Sequence, residues 1–266
     1  MKLISSAKIN LRLKCVGKYS NGYHELEMIN MRYPIYDFIY IYKEKENKLE
    51  YLNSSLDPLK DNLVLKVLEY MQETFNIGDK FKIVIEKHIP IGAGLGGGSS
   101  NAAAIINYIN NEYKLNLSNF DLISIGKLFG ADIPYCLFDN AAIVRGIGEV
   151  IEFIDLNLEE DIVIVNPNIY ISTKDVFLNN KRISEKSNLE EIKDLRLFEN
   201  DLEESAFLLN KELQYVKSYL ESLDIKHVVM SGSGSSFVLF IDKEKKEEVI
   251  NKIKLETNYL IYINNE

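Results

Sequence analysis

Histidine and cysteine are scarce: three His and two Cys in 266 residues. His24, His88 and His227 are scattered, and Cys15 and Cys136 lie far apart and flank no metal-type spacing. That leaves no His/Cys cluster for zinc, and it predicts two reduced thiols rather than a disulfide framework. No run of about 18 apolar residues is present, so no membrane span is expected. Met1–Lys8 lacks the apolar core of a signal peptide, and the expected location is cytoplasmic. Internal repeats and low-complexity linkers are absent as well. A net charge of −9 argues against nucleic acid as a partner.

The charge is unevenly placed. Residues 1–151 hold 17 Lys+Arg against 17 Asp+Glu, and residues 152–266 hold 14 against 23. The excess of acid therefore begins near residue 152, which is the expected boundary between domains 1–152 and 153–266. Within the first part, Lys2, Lys8, Arg12, Lys14, Lys18 and Arg32 face only Glu25 and Glu27 across residues 1–32. Such a segment suits an anionic substrate, or simply a solvated basic surface.

The densest signal is Pro90-Ile-Gly-Ala-Gly-Leu-Gly-Gly-Gly-Ser-Ser-Asn-Ala-Ala-Ala104, with five glycines in the seven residues 92–98. Glycine lets the backbone adopt positive φ and approach a ligand closely. The alanine run predicts a helix from about Ser99 to Tyr113, whose first N–H groups and dipole favour an anion. Lys80–Lys87 alternates like a strand before the loop. Residues 2–16 read as extended, Asn21-Gly22 as a turn, and residues 25–43 as two strands interrupted at Pro34. Asp61-Asn62 caps a helix and Ser118 starts another. Strands are expected at 141–154, 161–165, 227–230, 237–241 and 259–263, with helices over 172–220 and 243–253. The class is α+β with two lobes.

Two better-known phosphate loops fit poorly. Gly92, Gly94 and Gly97 match a dinucleotide fingerprint, but a helix through Asp121 and Leu122 stands where the second, acid-ending strand belongs. Gly92 and Gly97 have Walker spacing, but Gly98 occupies the lysine position, so cationic help must come from elsewhere. Protein-kinase motifs are missing.

Pro90–Ala104 resembles the phosphate loop of the GHMP kinases. Ala7-Lys8-Ile9-Asn10-Leu11 and Ser231-Gly232-Ser233-Gly234 resemble the first and third motifs of that family. Lys18–Glu25, Gly130–Tyr135 and Asn200–Glu203 resemble the branch that phosphorylates a cytidine diphosphate-linked methylerythritol at its 2-hydroxyl, on the methylerythritol phosphate route to isoprenoid precursors. The resemblance implies a two-lobed fold, each lobe a mixed sheet with helices, and an active site in the cleft between them. It implies ATP and Mg²⁺, the ion being carried by ATP.

It further implies Lys8 and Asp132 as catalytic residues. Lys8 would stabilise the transferring oxygens, and Asp132 would orient the hydroxyl and accept its proton. Pro90, Ile91, Gly92, Ala93, Gly94, Leu95, Gly96, Gly97, Gly98, Ser99 and Ser100 would hold ATP, the two serines touching phosphate or Mg²⁺, or capping the helix, with Asn62 toward the adenosine. Tyr23 and Phe177 would stack on the cytidine base, His24 would bond its edge, and Asn10 would lie nearby. Ser6 stands where the family commonly has proline, and Tyr135-Cys136 where it has bulkier apolar residues. A different GHMP small-molecule kinase, of isopentenyl phosphate or homoserine type, or a GHMP-fold nucleotide sensor without turnover, fits the same loop. Monomer and homodimer are both compatible with the sequence.

Overall fold

Period-two alternation over Lys2–Lys18 produces the first strand, β1, and both of its faces are covered. Ile9, Leu11, Leu13 and Cys15 are buried, and so are Lys8, Asn10, Arg12 and Lys14 on the opposite face. The computed structural model describes residues 1–54, 62–187, 189 and 194–264. Asp61, expected to share in a helix cap, lies outside the described residues. The turn at Asn21-Gly22 closes with Tyr19 N–H donating to the Tyr23 carbonyl at 2.8 Å, and Gly22 takes φ +88°. It leads into β2, His24–Glu44, which pairs with β1.

The expected break at Pro34 does not occur, because β2 changes partners along its length. Residues 26–30 pair with residues 142–146 and residues 38–44 with residues 80–86, and Pro34 falls in the gap between these two ladders, where neither requires its missing N–H.

The chain divides into two compact units. Unit one comprises Met1–Lys8, Pro34–Ile91 and Gly96–Asp139. Here β4 (Lys80–Glu86) runs antiparallel to the second half of β2 and parallel to β3 (Lys48–Tyr51), a short strand without a clear sequence signal. Helix α1 (Leu63–Thr74) begins at Asn62, whose Oδ1 accepts from Val64 N–H at 2.9 Å. Its buried Val67, Leu68 and Met71 pack toward α2 (Gly97–Glu112), which buries Ile105, Ile106 and Ile109. Each such side chain contributes about 1.5–3 kcal/mol by leaving water. Helix α3 (Asn119–Phe129) carries a reciprocal capping box between Ser118 and Asp121 and stops at Gly130. A single turn, α4 (Ile133–Cys136), follows at the expected Asp132-Ile-Pro bend.

Unit two comprises Ile9–Tyr33, Gly92–Leu95 and Asn140–Glu266. The first half of β2 is antiparallel to β5 (Ala142–Gly146), which pairs with β6 (Val150–Phe153). A second, antiparallel sheet is built from β7 (Asp161–Asn166), β8 (His227–Met230), β9 (Phe237–Ile241) and β10 (Leu260–Ile263), in the order β10-β7-β9-β8. Phe237 through Ile241 are all buried, which explains why β9 reads as a continuous apolar run. The helices are α5 (Thr173–Asn179), α6 (Glu203–Leu209), α7 (Lys211–Glu221) and α8 (Lys246–Glu256). Among the described residues, the stretch expected to be helical over 172–220 holds three short helices and a 3-10 turn at Leu195–Leu197. No described helix is long and apolar enough to cross a membrane.

Candidate active site

In unit one the glycine loop enters α2 through Gly96, which takes the N-cap position at φ +65° with no side-chain cap. The helix starts two residues before the expected Ser99, so the serines lie inside its first turn rather than capping it. A Cβ on Gly96 would fall 2.6 Å from Lys8 Cγ. The absence of that Cβ lets the lysine stem cross the loop. Lys8 Nζ then reaches Asp132 Oδ1 at 3.3 Å. The lysine side chain is 4% exposed and the aspartate 40%, so the carboxylate is the solvent-facing partner. Asp132 stands at the N-cap of α4 yet makes no side-chain cap hydrogen bond, which leaves it turned to the lysine rather than to the helix. Ser100 is buried and its hydroxyl donates to Cys136 Sγ at 3.3 Å, while Ser99 is half-buried and Gly98 exposed. Both polar ends of Asn62 are engaged, Oδ1 in the α1 cap and Nδ2 on Tyr51 Oη at 2.8 Å.

In unit two, residues 92–95 lie against the third glycine segment. Gly94, at φ +75°, approaches so closely that a Cβ would sit 2.0 Å from the Ser231 carbonyl oxygen. Ser231 Oγ donates to the Gly94 carbonyl at 3.0 Å and accepts from Asn10 N–H at 3.1 Å. Ser236 N–H donates to the Ala93 carbonyl at 3.2 Å. The loop's carbonyls are thus tied back. The N–H groups of Gly97, Gly98 and Ser99, in the first turn of α2, have no acceptor within the helix and no side-chain cap. A glycine stretch with tied carbonyls and free amides has the polarity to bind an anion. Asn200, buried, supports the third segment from behind by donating to the carbonyls of Met230 and Gly232 at 2.6 and 2.7 Å. Tyr170 is exposed, and its ring edge lies 2.9 Å from where a Gly92 Cβ would be.

Asn10, from β1, donates its side-chain amide to Asn30 Oδ1 at 2.7 Å and Met28 Sδ at 3.5 Å. His24 is buried and tilted against Phe177, centroids 5.6 Å apart at 39°. Burial and the charge of Lys18 hold its pKa below the ordinary 6.5, outweighing a backbone hydrogen bond to Asn180. A neutral imidazole offers one donor and one acceptor. Tyr23, its neighbour, is exposed. Thr173 Oγ1 meets Ser233 Oγ at 2.7 Å, so the start of α5, the helix that carries Phe177, is fastened to the third glycine segment. Unit two therefore gathers Asn10, His24, Phe177 and Gly92–Leu95, and unit one gathers Lys8, Asp132 and Gly96–Ser100. Asn30, Thr173 and the Ser231 and Ser233 hydroxyls are not singled out by the sequence. Asn30 shares one strand face with Met28, a period-two signal that could have marked it.

Among the described residues no group of three His, Cys, Asp or Glu could hold a metal ion. Magnesium that arrives on a nucleotide keeps several waters and needs few protein oxygens.

Comparison with known proteins gives a consistent result. The profile described as GHMP kinases N terminal domain matches residues 62–146, and that described as GHMP kinases C terminal matches residues 181–258. A 4-diphosphocytidyl-2-C-methyl-D-erythritol kinase of Clostridioides difficile is 36% identical, covering 96% of this chain and 93% of its own length. The protein of that name from Persephonella marina is 33% identical, covering 95% of each. A crystal structure of a 4-(cytidine 5'-diphospho)-2C-methyl-D-erythritol kinase superposes with a TM-score of 0.81 at 26% identity, covering 98% of both chains.

Proposed function

We propose a mechanism and a substrate for a chain that belongs to the GHMP kinase family and, within it, to the 4-diphosphocytidyl-2-C-methyl-D-erythritol kinases. It is an ATP-dependent phosphotransferase that phosphorylates the 2-hydroxyl of 4-diphosphocytidyl-2-C-methyl-D-erythritol, a step toward isoprenoid precursors. The observation that carries the residue assignments is the Lys8–Asp132 pair at 3.3 Å, with the lysine stem crossing Gly96.

The free amides of the glycine loop hold the triphosphate, which arrives with Mg²⁺. The 2-hydroxyl, placed beside Asp132, attacks the γ-phosphorus. Its proton passes to an Asp132 oxygen as the new O–P bond forms and the bond to the β-phosphate oxygen breaks, releasing ADP. Phosphoryl transfer depends mainly on positioning and charge stabilisation, so the Asp132 carboxylate acts by orienting the nucleophile and taking the proton late. Lys8, almost fully buried, faces the transferring oxygens with a charge that water does not screen. At the other end of the acceptor, Phe177 and Tyr23 stack on cytosine, and neutral His24 pairs with its edge. Asn10, oriented by Asn30, is a polar partner near the same cytidine end. Asn62 contributes to the adenosine side, and the protein works in the cytoplasm.

The test is ADP release with the cytidine-linked substrate against mevalonate, homoserine and isopentenyl phosphate. Turnover with the first alone is expected. Preference for any of the others rejects the substrate assignment, and no turnover with any of them rejects the kinase reading.

A further inference from the structure

The glycine loop has no lysine of its own, yet a buried one stands at the start of its helix. Lys87 follows β4 directly, before the loop, and its side chain is 8% exposed. Its ammonium pairs with Asp37, which is fully buried within β2. The other oxygen of Asp37 accepts from His88 N–H at 2.7 Å and Ile89 N–H at 2.9 Å. A Cβ on Gly97, the first residue of α2, would lie 3.1 Å from Lys87 Nζ. Lysine, carboxylate and helix start all belong to unit one.

This placement is poor for stability alone. A cation beside a helix N-terminus is opposed by the helix dipole. A buried ion pair gives up hydration that its mutual attraction often fails to recover. Among the described residues Asp37 is the one ion-pair partner of Lys87, so two of the three ammonium donors remain for another acceptor. A polyanion at the start of α2 would reverse the electrostatic cost, because it meets the ammonium and the free amides together.

We propose that Lys87 is a further nucleotide-binding residue, supplying from outside the loop the cation that Gly98 replaces inside it, and that Asp37 is the positioning residue that holds it there. The proposal rests on the reading of residues 92–100 as the triphosphate site.

The test uses the full chain and three variants: K87M, K87R and the neutral pair D37N/K87M. In the pair, the carboxamide introduced by D37N retains an oxygen for the His88 and Ile89 N–H groups, so the backbone support survives while both charges go. Binding of ATP and of adenosine, the KM for ATP and for the cytidine-linked substrate, and the urea midpoint are measured. D37N/K87M is expected to fold, to weaken ATP binding about tenfold or more, as loss of a charge-assisted phosphate contact does, and to leave adenosine binding and the KM for the cytidine-linked substrate in place. K87R should recover most of the ATP affinity that K87M loses. A folded neutral pair with wild-type ATP affinity, or equal weakening of ATP and adenosine, would overturn the proposal. If the neutral pair does not fold, K87R decides: a folded K87R that binds ATP as weakly as K87M rejects a charge-based role. Wild-type protein that binds no ATP would instead refute the underlying site assignment.

Discussion

Asp132 has a half-exposed carboxylate, a lysine on one side and no capping duty, so its amide replacement should disturb little besides chemistry. Asp132→Asn is expected to lower kcat about a hundredfold or more, the scale of a lost general base, with the KM for ATP and the urea midpoint nearly unchanged. Steady-state kinetics check this, and a kcat near wild type removes Asp132 from the mechanism. His24 gives a separate signature. Its pKa is lowered by burial and by Lys18, so the folded protein prefers the neutral ring. The sign follows: the folded state resists protonation, so the fold loses support as pH falls below the ordinary 6.5, and base recognition is lost later, as pH falls through the lower folded-state value. The KM for the cytidine-linked substrate should stay flat through the ordinary value and rise only as pH falls through the lower folded-state value of the ring, whereas His24→Ala should give a raised and pH-independent KM. Cys15, with its pKa pushed up to about 12 by burial and by Asp201, should resist alkylation at pH 8 until the protein is denatured. The residue scale also marks what spacing cannot supply. Lys8 and Asp132 lie in recognisable motifs, but Asp37 is a lone acid inside an aromatic strand, and only the folded path of β2 brings it beside Lys87, His88 and Ile89.

Helix starts are among the most legible elements. Ser118 with Asp121 three residues later encodes the capping box of α3, and Ser118→Ala is expected to cost about 1 kcal/mol. A urea titration should show that loss with kcat unchanged, since α3 contributes no side chain to the proposed chemistry. The start of α2 is hidden from sequence reading because Gly96 caps it through backbone conformation alone, and serine at 99 and 100 looks like a cap in isolation. The continuity of β2 is hidden for a related reason: proline signals a break, and the sequence does not reveal that the strand is changing partners there. Strand β3 is four residues long and carries no alternation strong enough to mark it. The fastening of α5 to the third glycine segment can be tested in isolation. Thr173→Val removes one hydroxyl contact and should raise the KM for the cytidine-linked substrate about fivefold, the equivalent of one neutral hydrogen bond. An unchanged KM would mean that Phe177 is placed by packing alone.

Across the whole molecule, the acidic excess of the second part does not produce unpaired repulsion everywhere. Burial would raise the Glu199 pKa, but the hydrogen bond and charge of Lys14, with Arg12 and Arg182, bring it below the ordinary 4.5. Asp201, fully buried, lies 3.6 Å from Lys14 and 2.9 Å from Arg182. A depressed carboxylate pKa stabilises the fold above its unfolded value and ceases to do so as pH falls through the lower folded one. Stability measured by urea should therefore fall from about pH 4.5 downward, and Lys14→Met should make that fall shallower. The α+β class and the glycine loop are readable because periodicity and glycine density are local signals. The division into units is not, since each unit draws on segments distant in the chain.

The crowding around Gly94 has a consequence for how this sequence can drift. Its φ of +75° and the Ser231 carbonyl where a side chain would begin leave no neighbouring codon acceptable, while Gly98 has open space around its α-carbon. In a saturation library scored by growth on the encoded activity, position 94 should return glycine alone and position 98 a mixed population. Genetic escape from a compound that crowds the triphosphate would accordingly arise at the second glycine and never at the first.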